Sequence, residues 1–241
     1  MLNYIDGISL IFLLLFPIIV FIISFKILTY VFQRISLGFS ISWIIATLSI
    51  SLMVASFIFT IDPTIFFLFS YNQWHISIHL IGFGIPLFII FIIIKKQLFS
   101  VIKLISGLII ISIISYFITI PIPEQGIISP FPFWLFPSFL SSIIAIYQCK
   151  EKNVKVKSAY AYSIGVLGVL IGADICHLPQ LLYYQQGPSM NAIIGGAAFL
   201  DLIFITGVIS VLIIQLYYSI DAIIMAIISL KKIDSIIRNF L

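Results

Sequence analysis

Charge is scarce in this sequence. Only 8% of its 241 residues are Asp, Glu, Lys or Arg, against roughly a quarter in a soluble domain. This scarcity excludes an ordinary soluble globular protein. The apolar residues fall in continuous runs of Ile, Leu and Phe, and the mean hydropathy of the chain is +1.28. A membrane β-barrel is excluded as well, because its strands need alternating apolar and polar residues.

Cysteine is scarce too. The two cysteines, Cys149 and Cys176, fall at opposite ends of neighbouring apolar segments. A bridge between them would have to cross most of a membrane, so we expect no disulfide framework. The sequence also lacks a phosphate-binding loop, a His-Glu-x-x-His motif, a serine nucleophile elbow and a Cys-x-x-Cys pair. It therefore carries no motif of these enzyme classes.

Seven apolar runs predict the architecture, because a run of ~20 residues crosses a bilayer as a helix and most of the seven are about that long or longer. We predict an all-α, polytopic transmembrane bundle with about seven spans, over residues 8–31, 37–61, 76–94, 104–120, 133–147, 159–184 and 191–217. Residues 1–217 are then a single transmembrane domain. The expected partner is the lipid bilayer of the cell membrane. We interpret the net charge of +4 as a signal of the orientation in the membrane, and we expect no nucleic-acid partner.

The basic residues predict the orientation, since Lys and Arg accumulate on the cytoplasmic side of a membrane. All twelve lie in or beside the first, third and fifth gaps between spans or in the C-terminal tail, with Lys26 at the inner end of the first span. The seven-span arrangement therefore places the N-terminus outside and the C-terminus in the cytoplasm. Residues 218–241 mix apolar and charged positions, and we predict that they form an amphipathic helix on the inner membrane surface rather than an eighth span.

Two outer segments differ from a simple connection. Residues 62–74 are rich in phenylalanine, which indicates a loop in the headgroup region. Residues 121–137 contain half of the ten prolines, so this stretch is not one regular helix. We predict either an external loop or a broken, partly re-entrant entry to the fifth span.

Two acidic residues, Asp174 and Asp201, lie deep in predicted spans. They stand at nearly equal sequence distances from the predicted turn near Gly187. An antiparallel helical hairpin would hold them at one height, close to mid-bilayer. An ionised carboxylate there costs about 2.5 kcal/mol or more, so such acids usually line a pathway or a site. This pair is our candidate catalytic site. The alternative is that each carboxyl bonds a neighbouring group and only fixes helix packing.

Small residues next to Asp201 predict access to its carboxyl. Two alanines lie one helical turn before it, and two glycines weaken the helix just beyond them. A histidine three positions after Asp174 is a candidate hydrogen-bond partner for that acid. The candidate substrate or access residues are His177, Gly195, Gly196, Ala197, Ala198 and Glu124.

A metal site is another use of these side chains. His75 and His79 have a spacing that places two imidazoles on one face of a helix. His79 and His177 should lie at similar depth, so these two histidines and the two aspartates form a candidate metal site. We favour the alternative that the histidines contact water and lipid headgroups, and we expect no cofactor.

The runs that contain the aspartates resemble a known family. With the stretch Pro121-Ile-Pro-Glu-Gln-Gly-Ile, about residues 75–212 resemble the prokaryotic multi-pass membrane proteins catalogued as domain of unknown function sixteen-fourteen. This resemblance implies a multi-pass helical fold and names no activity. A looser similarity is to intramembrane aspartyl proteases of the presenilin and signal-peptide-peptidase type. It implies catalytic roles for Asp174 and Asp201, although Asp201 follows Leu200 where that motif has glycine.

Three functions stay open at this point. The first is an aspartyl-type intramembrane hydrolase that acts on a membrane-embedded peptide or a lipid-linked substrate, with two acids sharing one proton. The second is a proton- or cation-coupled transporter that uses the same acids. The third is a non-catalytic membrane scaffold. Whether the protein is an enzyme is therefore an open question in the sequence.

Overall fold

The computed structural model describes residues 7–59, 62–122, 126–184 and 190–240. In these ranges the chain is mostly helical. The helices are α1 (Gly7–Arg34), α2 (Phe39–Ile58), α3 (Ile85–Lys95), α4 (Val101–Ile118), α5 (Phe136–Gln148), α6 (Val154–Val169), α7 (Cys176–Tyr183) and α8 (Leu202–Phe240). The strands are β1 (Ile65–Tyr71), β2 (Trp74–His79), β3 (Ile120–Ile122), β4 (Gly126–Ile128) and β5 (Met190–Ile194). Two π-helical segments, Leu80–Gly84 and Leu170–Ile175, precede α3 and join α6 to α7.

Several helices are suited to a bilayer. Among the described residues, four are long and apolar enough to cross a membrane: Phe39–Ser56, Val101–Ile118, Val154–Tyr183 and Leu202–Leu230. Two shorter apolar helices are Leu80–Lys95 and Phe133–Gln148. Large apolar side chains such as Ile102, Ile109 and Phe117 of α4 are exposed on the outside, a surface that requires lipid or a partner around it. The prediction of a mostly helical, multi-pass membrane protein in contact with lipid is confirmed.

Helix α6 lies at the centre of the bundle, against α4, α5 and α8. Nearly all of its residues are buried, and small residues at the contacts let the helix backbones approach closely. A Cβ atom at Gly168 would meet Ile111 of α4, while one at Gly165 would meet Thr206 of α8 and Ser141 of α5. The small residues of α6 therefore determine which helices are its neighbours.

Three hydrogen bonds from lysines gather the basic segments at one end of the bundle. They join Lys96 to the Ser36 carbonyl, Lys103 to the Gln148 carbonyl and Lys157 to the Tyr218 hydroxyl. These bonds connect the first, third and fifth gaps between the predicted spans, together with α8. We call this the lysine end of the bundle.

The all-α prediction is wrong at the other end, where the described residues form two small sheets. One sheet has the order β1-β2-β5, with β1 antiparallel and β5 parallel to β2, and Ile76 pairs with Ala192. The other is the antiparallel hairpin of β3 and β4. Short apolar runs look alike whether they form strands or buried helix ends. The predicted spans over 76–94 and 191–217 therefore began too early. We call this the sheet end.

The two unusual outer segments are part of these sheets. Most of residues 62–74, predicted as a loop, is strand β1. The proline-rich stretch contains β3 and β4, followed by a short 3-10 turn at Phe133–Leu135 that leads directly into α5. Proline is tolerated on the edge of a sheet, because the backbone N–H that it lacks would not have bonded another strand there.

Helix α8 continues without a break from Leu202 to Phe240, so residues 218–240 are not a separate helix. At ~1.5 Å per residue its 39 residues span about 58 Å, roughly twice the ~30 Å hydrocarbon core. The described side chains from Ser219 to Leu230 are exposed. The part of α8 from Ser219 to Leu230 thus extends beyond the packed part of the bundle.

Candidate functional site

Asp201 is the N-cap of α8. The Ile203 N–H donates to its Oδ1 at 2.9 Å, and the Ala197 N–H donates to its Oδ2 at 3.4 Å. Its carbonyl oxygen accepts the first helical hydrogen bond, from the Ile205 N–H. The N-terminus of a helix favours a negative charge beside it. The carboxyl of Asp201 therefore has a structural role in addition to any chemical one.

The residue count that predicted a mid-bilayer depth is wrong, because residues 190–201 form a strand, a turn and one 3-10 turn rather than a helix. The hydrogen bond between Lys157 and Tyr218 is a better reference point. Asp174 lies seventeen residues beyond Lys157, and Asp201 lies seventeen residues before Tyr218. Helical rise then places each acid about 26 Å from that bond. Both acids belong to the sheet end of the bundle.

Asp174 lies in the π-helical segment Leu170–Ile175. A π-helical turn inside an α-helix is rare and is frequently found at functional sites. The Oδ2 atom of Asp174 is buried and has no hydrogen-bond partner within the described residues. An unpaired buried polar atom costs about 1–3 kcal/mol. This position therefore holds a buried polar atom that no group in the described ranges satisfies.

Two cavities meet at the two acids. The first has a volume of about 280 Å³ and is lined by Asp174, Asp201, residues 191–197 and part of β4. The second has a volume of about 440 Å³ and extends toward Trp134. Four residues line both cavities: Ile127, Asp174, Ala197 and Asp201. Both carboxyl-bearing residues thus border the same two spaces.

A family model described as "Protein of unknown function (DUF1614)" matches residues 63–213. The match covers more than half of the chain and includes every residue that lines the two cavities. The chain belongs to the DUF1614 family. Neither a curated protein nor a solved structure matches it. The similarity to presenilin-type proteases therefore receives no support from these comparisons.

In this DUF1614 protein the predicted access residues divide into two groups. Gly195, Gly196 and Ala197 line the first cavity. Ala198 lines neither cavity and packs against the hydrophobic core, because a 3-10 turn replaces the predicted helix around it. Glu124 lies outside the described residues.

His177 does not bond Asp174, contrary to the prediction. Its Nε2 lies 3.0 Å from the Tyr116 carbonyl oxygen, and its Nδ1 lies 2.8 Å from the Gln180 Oε1. The ring also stacks on the Tyr116 ring, with 4.4 Å between centroids. The π-helical turn ends between Asp174 and His177, so the face that residues three apart share in a regular α-helix is lost.

The two other histidines lie on strand β2 and not on a helix. His75 is exposed, with its Nδ1 at 2.9 Å from the Ser70 hydroxyl. His79 is buried, and the Ile81 N–H donates to its Nδ1, which places the proton of the neutral ring on Nε2. Its Nε2 lies 2.8 Å from the Thr64 hydroxyl, which in turn donates to the Asp62 carboxylate. This chain of contacts ties the start of β1 to the end of β2.

The pKa values of these groups follow from their contacts. Burial lowers the pKa of His79, and the nearby Asp62 charge opposes this effect only in part. For Asp62, burial acts to raise the pKa, but the Thr64 hydroxyl, the Thr64 N–H and His79 outweigh it, so the pKa is lowered. A neutral imidazole and an ionised carboxylate are therefore the favoured forms near neutral pH.

The predicted four-residue metal site does not form. Across residues 7–59, 62–122, 126–184 and 190–240, no group of three or more His, Cys, Asp or Glu side chains could hold a metal ion. His79 and His177 have separate partners, as described above. We therefore do not propose metal binding by these histidines.

Several residues of the site are absent from the sequence-based prediction. Residues 191–194 of β5 and the β4 residue Ile127 line the cavities, and Gly82 contacts the backbone of Gly195, which directly follows β5. A Cβ at Gly82 would lie 2.8 Å from the Gly195 carbonyl carbon, so both glycines are needed for this close backbone contact. One usable signal was present: Asp201 directly precedes a long apolar run, which is typical of an N-cap.

Proposed function

We propose that this DUF1614 protein is an aspartyl-type membrane hydrolase in which Asp174 and Asp201 are the catalytic pair. Its substrate would be a membrane-embedded peptide or a lipid-linked amide. The observation that supports this proposal is that both acids line the same two cavities. Two neighbouring carboxyls facing a cavity are the groups that acid–base hydrolysis of an amide requires.

The different surroundings of the acids suggest different roles. Both oxygens of Asp201 accept backbone N–H groups at a helix N-terminus, as suits an ionised carboxylate. Asp201 would therefore act as the base. Asp174 Oδ2 has no hydrogen-bond partner among the described residues. It suits the oxygen that carries the shared proton and donates it to the substrate.

The reaction would proceed in two steps. A water oxygen attacks the amide carbon while Asp201 takes one water proton and Asp174 donates its proton to the carbonyl oxygen. In the second step the carbon–nitrogen bond of the tetrahedral diol breaks. Asp201 returns its proton to the leaving nitrogen, and Asp174 regains one from a hydroxyl. The sum is one water added and one amide cleaved, with both acids restored.

We also infer the placement in the cell membrane. The lysine end would face the cytoplasm, the N-terminus would lie outside, and α8 would continue from the bundle on the cytoplasmic side. The basic segments joined by lysine hydrogen bonds support this orientation. The sheet end and both acids would then lie near the outer interface, where water can reach the cavities.

The test uses a transition-state analogue on the purified protein. The probe is a peptide with a hydroxyethylene group in place of one amide and a photoreactive label. Its hydroxyl mimics the diol, so it binds a catalytic pair more tightly than a substrate does. We expect the wild type to be labelled, and Asp174→Asn and Asp201→Asn to lose labelling. Asp221→Asn is the control, because Asp221 is an exposed acid on α8 that borders neither cavity.

The outcomes separate the functions. Labelling that both Asn variants retain would contradict a catalytic pair. Cleavage of a single-span test peptide in proteoliposomes, lost in the same two variants, would complete the case for a hydrolase. A scaffold would show neither labelling nor cleavage, and its only response to the substitutions would be a change in stability.

A second candidate is a proton- or cation-coupled transporter. It is favoured by the position of the acids between two cavities, as expected for a relay that hands a proton from one space to another. Proton flux into proteoliposomes, followed with an internal pH dye, tests it. Flux that depends on Asp174 and Asp201 but not on Asp221, without probe labelling, would replace the hydrolase proposal.

A further inference from the structure

Strand β5 is an edge strand. In the described part of the chain it pairs with β2 on one side, and no strand pairs with it on the other. Asn191, Ala192, Ile193 and Ile194 all line the first cavity. Side chains of successive strand residues point to opposite faces, so four consecutive residues can border one space only along the edge of the strand. The open edge of β5 therefore faces the cavity that contains the acids.

The backbone groups on this edge can be assigned by alternation. The Met190 N–H donates to the Gln73 carbonyl, on the β2 side. Backbone groups of alternate residues point to the same side of a strand, so Ala192 and Ile194 also face β2. Asn191 and Ile193 then face the cavity. The Ile193 carbonyl already accepts the Gly196 N–H. With respect to the described residues, the groups left to pair are the Asn191 N–H and carbonyl and the Ile193 N–H.

We propose that β5 binds the substrate as an added β-strand. An extended peptide would lie in the first cavity, with its backbone paired to Asn191 and Ile193 and its scissile amide turned toward the acids. Strand addition to an open sheet edge takes affinity from main-chain hydrogen bonds and so accepts many side chains. This inference rests on the proposed function, and it narrows the substrate class to an extended peptide rather than a lipid-linked amide.

The surroundings of the edge fit this occupant. Gly195 and Gly196 follow β5 without side chains that would obstruct the strand end, and Ala197 continues the wall toward Asp201. The cavity volume of about 280 Å³ is close to the ~300 Å³ at which ligand cavities begin. The end of β5 is held in place, because Gly195 packs on the backbone of Gly82 and Phe83.

The experiment measures binding separately from cleavage. The probe is a fluorescent decapeptide of alternating valine and alanine with lysines at both ends, and its binding to the protein in detergent is followed by anisotropy. A series of versions carries one N-methyl group on each backbone amide in turn. Peptide amides that face β5 alternate along the added strand, and an N-methyl group on such an amide would collide with the strand edge, so strand pairing predicts weaker binding at every second position of the paired segment. The loss should be roughly five- to tenfold at the amide that donates to the Asn191 carbonyl. A lipid-linked amide without a peptide backbone should not compete.

Two protein variants complete the test. Ile193→Pro removes an N–H from the open edge of β5, where proline is tolerated, and should weaken binding by a similar factor. Phe67→Pro is the matched control, because Phe67 is exposed on β1, the opposite edge of the same sheet. Thermal unfolding of both variants shows that each is folded.

The outcomes distinguish this inference from the proposed function. Binding that alternates along the peptide in Asp201→Asn, where cleavage is lost, supports strand addition. Alternating binding to a wild type that never cleaves would refute the hydrolase and leave the peptide site. If the wild type cleaves the peptide and every N-methyl group weakens binding equally, strand addition is overturned and the hydrolase remains. The same conclusion follows if the two proline variants bind the peptide equally well. Failure of the wild type to bind the decapeptide would also overturn it.

Discussion

Asp201 has two roles that one pair of substitutions separates. Its carboxyl caps α8 through the Ile203 N–H at 2.9 Å, and in our proposal it is also the catalytic base. Asparagine caps a helix about as well as aspartate, whereas alanine does not. Asp201→Asn therefore removes the charge and keeps the cap, while Asp201→Ala removes both. A purely structural role and a catalytic role predict different results for these two variants.

The structure sets the expected magnitudes. Loss of an N-cap costs about 0.5–2 kcal/mol, and 1 kcal/mol changes the Tm of a protein of this size by about 2–4 °C. Asp201→Ala should thus lower the Tm by about 1–8 °C. In Asp201→Asn the amide oxygen still accepts the Ile203 N–H, and the contact given up is the long one of 3.4 Å from the Ala197 N–H. We expect a Tm change of about 1 °C or less.

The assay combines thermal unfolding in detergent with hydroxyethylene probe labelling well below either Tm. Both variants should lose labelling, and Asp201→Ala alone should lose stability. If Asp201→Asn labels like the wild type while Asp201→Ala melts early, the residue is only a cap. If Asp201→Asn melts as early as Asp201→Ala, the assignment of the N-cap is wrong.

Three further predictions concern packing, pH and orientation. Gly172→Ala should destabilise the protein by about 1–3 kcal/mol or more, because the added Cβ would lie 2.8 Å from the Ser112 carbonyl carbon of α4. Gly38→Ala is the control, since a Cβ at Gly38 would meet open space. Equal Tm values for the two variants would contradict the contact between Gly172 and Ser112. The pKa values of His79 and Asp62 are both lowered on folding, so the unfolded chain binds protons at each group more readily than the folded protein does. The stability that these groups contribute is therefore complete above about pH 6.5 and declines as the pH falls. Protonation of His79 in the unfolded chain causes the decline below about pH 6.5, and protonation of Asp62 adds to it below about pH 4. Melting curves against pH should show this decline, and His79→Gln should remove its upper part; parallel profiles for the two proteins would refute it. A green fluorescent protein fused to the C-terminus should fluoresce in cells if that end is cytoplasmic. A fusion protein that is fully expressed but does not fluoresce would show that the orientation is the opposite one.

Much of the architecture was predictable because it depends on composition and local pattern. Long runs of Ile, Leu and Phe can be satisfied only by lipid or by a helical interior, so each of the seven predicted spans overlaps a helical segment. The grouping of basic residues into alternate gaps is also a property of the sequence. The two acids stand out for the same reason, since a charge within an apolar run is costly wherever the helices pack.

The sheet end depended on tertiary contacts. Strand β5 exists because β2, far earlier in the chain, offers it a hydrogen-bonding edge, and no local pattern records that partner. The same pairing shortens the last helix, so Asp201 becomes an N-cap rather than a residue within a span. The π-helical turn at Asp174 likewise directs His177 toward Tyr116.

Hydropathy and charge act residue by residue, so the sequence by itself indicated that this chain enters a membrane, where its main helices lie and which two acids are exceptional. Tertiary structure alone decided that these acids border the same cavities, that β5 opens its edge toward them and that the histidines lie apart. The physical reason is that strand pairing and helix rotation depend on contacts between segments that are distant in the chain. The free energy of such a contact cannot be read from either segment alone.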